Sequence, residues 1–451
     1  MSTATRRRTG RATARASGSS RRQRRNGRSV PSATTPLGAP AATTLRSISR
    51  TGRLGPLLRQ LVLVEAALAV AAVGAALGTP WVVPAVVVAC ALVLLAVVRR
   101  RGRAVQDWLA TALALRARGR ATGPAVRTDR APDVEPTLAP VAEGVPGFGP
   151  SGYVDRNRRT VGMLGDGTFL TAVVRVEAGG EALRPAAGAR ALPLSLLGDA
   201  LEVDDIVLES AQLVQQVRSA PAPHLPQRSV ARLSYAPLQE KTGAPALRMT
   251  WVAVKLDPQL CREAVEARGG GLGGAQRCLV RVADHVASRI TGAGFRAAVL
   301  DQDELNSAVA TSACANPMLS ARAGRPDSGH QRRTSETSRV WRCDDRWHTT
   351  YAVDRWPELG RGATPLPRLV SLLTSVPAYA TTFSLTVRRG AHRGATTVSG
   401  HVRITGGSDT ELVGVRRTLE QAARYAKVGL VRLDREQLPG VLATLPLGGA
   451  R

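Results

Sequence analysis

The sequence predicts a transmembrane hairpin of two helices followed by a mixed α/β domain on the cytoplasmic side. Two apolar runs, Leu61–Leu77 and Trp81–Val98, together contain a single charged residue. Arginines flank this pair on both outer sides, and from Gly152 onward short strand patterns alternate with helix patterns. Such alternation is typical of α/β or α+β domains. The hairpin and the mixed domain together define the expected fold class.

The N-terminal region is strongly basic. The net charge is +28, and residues 1–103, with eighteen Arg and one acid, carry +17 of it. Residues 1–50 contain no acidic and no aromatic residue, so they cannot bury enough apolar surface to offset the entropy of ordering. We therefore predict a disordered Arg-rich tail over residues 1–55. Because the tail precedes an apolar run, contact with anionic lipid headgroups is favoured over binding to nucleic acid.

The predicted hairpin covers residues 56–98, with helices at about 57–77 and 81–98. A helix needs roughly 20 apolar residues, and at least about 17, to cross a bilayer. The connecting turn, residues 78–80, is uncharged, whereas both outer flanks are rich in arginine. Positive flanks stay on the cytoplasmic side. The sequence thus predicts a multi-pass protein of the cell membrane with both termini in the cytoplasm; the competing interpretation is a helical hairpin buried in a soluble core.

Two features of the first run have functional interpretations. Glu65 is an acid within a predicted span, which by default marks a functional candidate. Its position near the start of the run favours the simpler interpretation, in which it reaches the headgroups or pairs with Arg59. Small residues recur at spacings of three to four and predict a packing face against the second helix or a partner. They are Ala67, Ala71, Gly74 and Gly78.

The rest of the chain divides into a connection and a domain. Residues 99–150 are predicted as a basic juxtamembrane helix around Trp108–Arg118 followed by a Pro/Gly-rich linker. Residues 151–451 are predicted as the cytoplasmic domain, with a polar loop near 310–340. Five cysteines without a C-x-x-C pair argue against a disulfide framework and fit a reducing compartment. No internal repeat is evident.

Within the domain, periodicity predicts individual strands and helices. Thr160–Leu164 and Thr168–Val176 are expected as a hairpin because Gly165-Asp166-Gly167 is a good turn signal. Further strands are expected at Ile206–Val217, Leu247–Leu256, Phe295–Leu300, Trp347–Val353, Thr381–Val387, Thr396–Ile404 and Val428–Leu433. Helices are expected at Pro193–Leu201, from Pro258 through Arg268, from about Ala275 to Ile290 and at Thr410–Lys427.

Three groups of residues are candidate chemical sites. Gly269–Gly274 formally matches G-x-G-x-x-G, but a helix pattern precedes it where the dinucleotide fingerprint requires a strand. A turn between two helices is therefore favoured. Cys343, Asp344, Asp345 and His348 are dense in possible metal ligands, yet no second Cys/His pair lies nearby to complete a zinc site. Asp204-Asp205 is expected as a turn before Ile206.

The sequence contains no P-loop, no G-x-S-x-G and no H-E-x-x-H motif. We therefore assign no catalytic, cofactor-binding or metal-binding residue, expect no cofactor, and predict that the protein is not an enzyme. A membrane-tethered nucleotide-sugar transferase or nucleotide-binding enzyme remains the alternative, and a membrane-tethered nucleic-acid binder is a third interpretation.

Three blocks of the sequence resemble a known family. They are VGMLGDGT at 161–168, TWVAVKLDP at 250–258 running on to ARGGG at 267–271, and ATLPLG at 443–448. Together with the pair of apolar runs, they make residues 55–451 similar to the EccE family of type VII secretion systems in actinobacteria. The Arg-rich tail is longer than the family needs.

The resemblance implies a non-catalytic structural subunit of a type VII secretion complex in the cytoplasmic membrane. EccB-, EccC- and EccD-like subunits are the implied partners, and EccC is the ATPase of the system. The resemblance also implies a degenerate glycosyltransferase-like fold for the domain, in which the Gly-rich turn and the Asp pair are inactive remnants.

Overall fold

The computed structural model describes residues 56–449 with gaps. The described ranges are 56–97, 99–100, 103–121, 135–156, 158–178, 191–218, 229–230, 233–234, 237, 247–325, 332–357, 365–390 and 395–449. All of them belong to the second of two units into which the chain divides, Met1–Ala42 and Thr43–Arg451. The predicted Arg-rich tail, residues 1–55, lies outside the described residues, as do residues 122–134 of the predicted linker.

Helices α1 (Pro56–Ala76) and α2 (Thr79–Val97) form a hairpin. Ala67 and Gly74, seven residues apart on α1, are buried. A Cβ atom added at Gly74 would overlap the Cβ of Ala85 on α2. At Gly74 the small-residue face therefore packs on the second helix, as one of the two predicted arrangements requires.

The remaining surface of this hairpin is apolar and exposed. The exposed large side chains are Leu61, Val62, Val64, Leu68, Val73, Leu77, Trp81, Val82, Val83, Val86, Val87, Val88, Val93 and Leu94.

The predicted membrane spans are not found. In the described part of the chain, no helix has both the length and the apolar character that a membrane crossing requires. Glu65 is exposed on α1. By the criterion of length and apolar character, the predicted transmembrane hairpin is wrong, and so is the predicted multi-pass location in the cell membrane with cytoplasmic termini.

Helix α3 (Val105–Ala121) contains the predicted basic helix and contacts the domain. A two-residue hairpin, β1 (Arg99–Arg100) with β2 (Arg103–Ala104), precedes it. Arg118 near the end of α3 forms an ion pair with Glu336, with 2.8 Å between Nε and Oε2. Its Nη2 also donates to the carbonyl oxygen of Arg435 at 2.8 Å. These bonds attach the C-terminal end of α3 to the domain.

The other strands are β3 (Gly149–Pro150), β4 (Tyr153–Val154), β5 (Thr160–Val161), β6 (Leu164–Gly165), β7 (Leu170–Ala178), β8 (Glu202–Val203), β9 (Ile206–Val207), β10 (Ser210–Arg218), β11 (Leu247–Leu256), β12 (Phe295–Val299), β13 (Thr334–Glu336), β14 (Trp341–Cys343), β15 (Arg346–Arg355), β16 (Ala380–Arg389), β17 (Thr396–Gly406) and β18 (Gly429–Arg432). The other helices are α4 (Ala139–Ala142), α5 (Ser195–Asp199), α6 (Arg262–Ala267), α7 (Gly271–Gly292), α8 (Gln302–Ala313), α9 (Pro317–Ala323), α10 (Leu366–Thr374), α11 (Asp409–Tyr425) and α12 (Gln437–Leu442).

Twelve of these strands form one sheet in the order β13-β14-β15-β17-β16-β10-β11-β7-β6-β3, with β12 paired to β7 and β18 paired to β15. Every strand pair in the described part of the chain is antiparallel. Two further hairpins, β4–β5 and β8–β9, stand apart from this sheet.

Eight of the twelve strands of the large sheet belong to two units with the same topology. The first repeat runs β7-α5-β10-β11-α7-β12 and gives the strand order β12-β7-β11-β10. The second repeat runs β15-α10-β16-β17-α11-β18 and gives the order β18-β15-β17-β16. Each is a split βαβ unit, the β-α-β-β-α-β arrangement of ferredoxin-like folds. The repeats meet where β10 pairs with β16.

This topology corrects the predicted fold class. In a split βαβ unit, a helix connects two parallel strands that are not neighbours in the sheet. Another strand lies between them and runs antiparallel to both. Strands and helices therefore alternate in sequence although every neighbouring pair in the sheet is antiparallel. The domain is α+β with a large antiparallel sheet. The predicted fold class, a transmembrane hairpin with a degenerate glycosyltransferase-like domain, is therefore wrong.

Layers of other elements cover both faces of the sheet. One face packs against the four helices of the two repeats, α5, α7, α10 and α11, through an apolar core. The opposite face packs against α4, α8, α12 and the segment after α12, around Trp251, Trp341 and Leu445. Leu138 beside α4 is fully buried, so the end of the predicted linker contributes to this second core.

Most predicted strands and helices of the domain are present. The strand Leu247–Leu256 has the predicted bounds, and the helix predicted at Thr410–Lys427 is α11. Within the segment predicted as a polar loop, α9 and β13 occur; Asn316 caps α9, its side chain accepting from the Met318 amide at 3.0 Å. The boundary near residue 150 between connection and domain stays a prediction.

Candidate functional site

The second face of the sheet is unusual because its central part is polar and buried. On a strand, alternate residues point to the same face, and here β10, β16 and β17 place hydroxyl, amide and guanidinium groups on that face. These residues are Ser210, Gln212, Gln216, Thr382, Ser384, Thr386, Arg403 and Thr405, each at most 2% exposed. Buried polar groups need hydrogen-bond partners, so the layer opposite this face must supply them.

The C-terminal segment, defined here as residues 443–449, supplies many of these partners. Gln212 Nε2 and Ser384 Oγ both donate to the carbonyl oxygen of Ala443 at 2.8 Å. The amide of Gly448 donates to Gln212 Oε1 at 2.8 Å, and Ser210 Oγ donates to the Gly448 carbonyl at 2.6 Å. Since Gln212 belongs to the first repeat and Ser384 to the second, the segment joins the two repeats across their junction.

Close packing restricts the end of this segment to glycine. Gly448 and Gly449 have φ angles of 85° and 89°, a region that favours glycine. A Cβ at Gly448 would overlap the side chain of Lys255, and one at Gly449 would lie 2.7 Å from Thr386 Oγ1. Lys255 is buried, with Nζ 3.5 Å from Glu209 Oε2 and 4.2 Å from the centre of the Phe169 ring. The segment is therefore a tightly fitted structural part of the domain.

The glycine turn lies between two helices, as predicted. Helix α6 ends at Ala267 and α7 begins at Gly271, so a helix occupies the place where a dinucleotide fingerprint requires a strand. Gly269, Gly270 and Gly271 all have positive φ. Beside the turn is a cleft of about 570 Å³, whose lining includes Arg156, Arg268 and Arg277. Arg277 Nε donates to the carbonyl oxygen of Arg268 at 2.7 Å.

Asp204 and Asp205 form the turn of the β8–β9 hairpin. Both have positive φ, at 48° and 65°, which suits a two-residue type I′ turn. The Asp204 carboxylate pairs with Arg281 of α7 at 2.6 Å. The expected turn before Ile206 is thus confirmed, and the pair of acids positions a hairpin on a helix.

The cluster of possible metal ligands near residue 345 is divided by the fold. Asp344 is buried and pairs with Arg333, with 2.7 Å between Oδ2 and Nη2, and it accepts from the Asn316 amide at 2.7 Å. Asp345 pairs with Arg346 at 3.3 Å. His348 is fully buried in β15, where its Nδ1 lies 3.0 Å from Thr405 Oγ1 and its ring lies against Trp341. Asp344, Asp345 and His348 therefore each take part in a different contact.

Burial alters the ionisation of this part of the domain. Desolvation, with a further contribution from Arg403, lowers the pKa of His348 well below its ordinary value. Desolvation also raises the pKa of the Cys343 thiol well above its ordinary value. Both groups are therefore uncharged at neutral pH. Among the described residues, no three His, Cys, Asp or Glu side chains converge as a metal site would require.

The polar face could not be found from sequence. Its residues, such as Gln212 and Ser384, lie on separate strands, and the sequence does not indicate which strands are neighbours in the sheet. The one available signal was the alternation of Ser210, Gln212 and Gln216 with apolar residues along β10, which normally indicates a solvent-exposed face. Here that face is covered by the C-terminal segment.

The described part of the chain forms a duplicated α+β domain. The polar side chains discussed above mainly hold its strands, helices and C-terminal segment together. Residues 244–353 match the family model described as "Putative type VII ESX secretion system translocon, EccE". The resemblance predicted from the sequence is thus confirmed over this segment, which runs from β11 in the first repeat into β15 in the second. The search of curated proteins gave no match.

Proposed function

We propose that this chain is a non-catalytic structural subunit of the type VII secretion translocon and contributes to its assembly and stability. The family match over residues 244–353 is the observation that carries the proposal, since the description of that family names a translocon component. The matched segment includes α7, α8, α9 and the start of the second repeat, and so the connection between the two repeats.

The contacts of the acidic side chains support a structural role. Asp204 holds a hairpin on α7, Asp344 holds Arg333, and Glu336 holds α3. A general acid or base or a metal ligand needs a free carboxylate directed at a reacting group. These three carboxylates are engaged in ion pairs within the fold, so we propose a structural role for each of them and no catalytic or metal-binding one.

EccB-, EccC- and EccD-like subunits are the partners that we propose. The exposed apolar surface of the α1–α2 hairpin suits contact with them, because exposed apolar patches of this size mark protein contact surfaces. Contact of the Arg-rich tail with anionic lipid headgroups stays a prediction, as residues 1–55 lie outside the described residues.

One observation favours the alternative, a nucleotide-binding or nucleotide-sugar transferring enzyme. The cleft of about 570 Å³ beside the glycine turn is large enough for a small ligand, and arginines line it. Against this, the strand required before the glycines is replaced by α6. Saturable binding of a nucleotide-sugar to the full chain, abolished by Arg277→Ala, would favour the enzyme over the structural subunit.

The substitution Gly74→Leu should reduce recovery of the other translocon subunits with the tagged full chain. A side chain at this position overlaps Ala85, so the two helices must separate and the surface they present must change. The measurement is affinity isolation in mild detergent with quantitative mass spectrometry.

The matched control is Ala75→Leu, which adds the same side chain at an exposed position on the same helix. The thermal unfolding of the domain should be unchanged in both variants, because position 74 lies outside it. Undiminished recovery with a Gly74→Leu and Ala71→Leu double variant would show that the geometry of this hairpin does not matter for assembly.

A further inference from the structure

Arg403, in the centre of β17, is a fully buried guanidinium whose charge is not balanced by an acid. It is 0% exposed. Its Nη2 donates to Thr382 Oγ1 at 3.2 Å and to the carbonyl oxygen of Ser312, whereas Nε and Nη1 have no hydrogen-bond partner in the described part of the chain. No carboxylate there pairs with it. An isolated buried charge is costly unless it is compensated.

The residues around Arg403 add further donors. Thr350 lies directly opposite Arg403 in the β15–β17 ladder, and its hydroxyl has no partner. The Ser312 hydroxyl, next to the carbonyl that Arg403 contacts, is also without a partner. His348, opposite Thr405, has Nδ1 near the Thr405 hydroxyl, which leaves Nε2 buried and unpaired. Hydroxyl and imidazole N–H groups can all donate.

None of these neutral groups balances the positive charge of Arg403. Gln216 Oε1 is the orphaned acceptor of the same region, and its amide nitrogen is directed to the carbonyl oxygens of Thr311 and Ser312 at 3.3 and 3.5 Å. The neighbouring Cys343 thiol is uncharged at neutral pH and supplies no counter-charge. Desolvation lowers the pKa of Arg403 only to about 10, so the guanidinium remains charged.

We propose that Arg403 binds a single small anion of chloride size, buried between the sheet and helix α8 and contacted by the side chains of Ser312, Thr350 and His348. The anion balances the guanidinium charge and accepts from the donors that have no other partner. Because Arg403, His348 and Thr350 are all fully buried, the occupant must be small and must shed its water, which suits a halide and excludes phosphate or sulfate. This site is independent of the proposed secretion role.

The test is thermal unfolding of the full chain at constant ionic strength, with chloride replaced stepwise by gluconate. An anion that binds only the folded state raises the unfolding midpoint. We expect chloride at about 0.15 M to raise it by about 2–6 °C relative to gluconate, and bromide to do the same. In Arg403→Met the response should be lost, whatever the basal stability of that variant.

The control is Arg432→Met, which removes an arginine from β18, a strand that pairs with β15 and not with β17. The Arg432 guanidinium pairs with Asp434, and the chloride response of this variant should equal that of the wild type. If Arg403→Met does not fold, Ser312→Ala and His348→Gln should each weaken the response. A wild-type midpoint independent of chloride, or an equal response in Arg403→Met, would overturn the proposal. So would crystals grown in bromide that show water and no anomalous peak beside the Arg403 guanidinium.

Discussion

Gly448→Val should prevent most of the full chain from accumulating as folded protein. The new side chain would overlap Lys255, and a β-branched residue at a φ of 85° is strained by itself. Displacing the segment would also break the hydrogen bonds that Ser210, Gln212 and Ser384 form with Ala443 and Gly448. Each orphaned buried group costs about 1–3 kcal/mol. Their sum is comparable to the whole stability of a domain, about 5–15 kcal/mol.

The measurement is the soluble yield and the urea unfolding midpoint of the full chain. Gly414→Val is the matched control, because Gly414 is exposed on α11 and a Cβ there meets nothing within 4 Å. The control should unfold within about 0.5 kcal/mol of the wild type. A Gly448→Val protein with wild-type yield and midpoint would show that the C-terminal segment does not occupy the polar face.

Asp344→Asn should lower the free energy of unfolding by about 3–5 kcal/mol, the range for a buried ion pair that loses one partner. The Arg333 and Asp344 side chains are 7% and 1% exposed and form two hydrogen bonds, at 2.8 and 2.7 Å. Asparagine keeps the shape and tolerates the φ of 53° at this position. The substitution therefore tests the loss of the charge with little added backbone strain.

Urea unfolding of the full chain measures this effect. Asp199→Ala is the control: it removes an exposed pair with Arg289, whose side chains are 55% and 53% exposed, and should change stability by less than about 1 kcal/mol. Replacing both partners, Arg333→Met with Asp344→Leu, should recover part of the loss. Equal effects of Asp344→Asn and Asp199→Ala would contradict the structural role of the buried pair.

Local patterns predicted the local structure well. The alternation around Trp251 fixed strand β11, and the period of α11 predicted an amphipathic helix; both depend on residues close in sequence. The Asp204-Asp205 turn was predictable for the same reason. The duplication was not, because the two repeats share strand order and connections but no visible residue pattern. In the first repeat β7 begins with five buried residues, whereas its equivalent β15 begins with two half-buried ones.

The large errors came from inferences beyond neighbouring residues. Apolar runs with arginine flanks predicted membrane spans, whereas the described helices do not meet the length and apolar criteria for one. The alternation of strands and helices left both an α/β and an α+β class open, because it carries no information on strand direction. The burial of Arg403 and His348 was not predictable from the sequence, because burial of polar groups depends on which strands become neighbours.

The central claim, membership in a secretion translocon as a structural subunit, is tested most directly by the state of the complex in cells that lack this chain. The measurement is the amount and size of the EccB-, EccC- and EccD-like assembly on native gels, with and without complementation. We predict a smaller or less abundant assembly without the chain, restored by the wild-type protein and by Arg277→Ala, and not by Gly448→Val. An assembly of unchanged size and abundance in the cells lacking the chain would contradict a structural role.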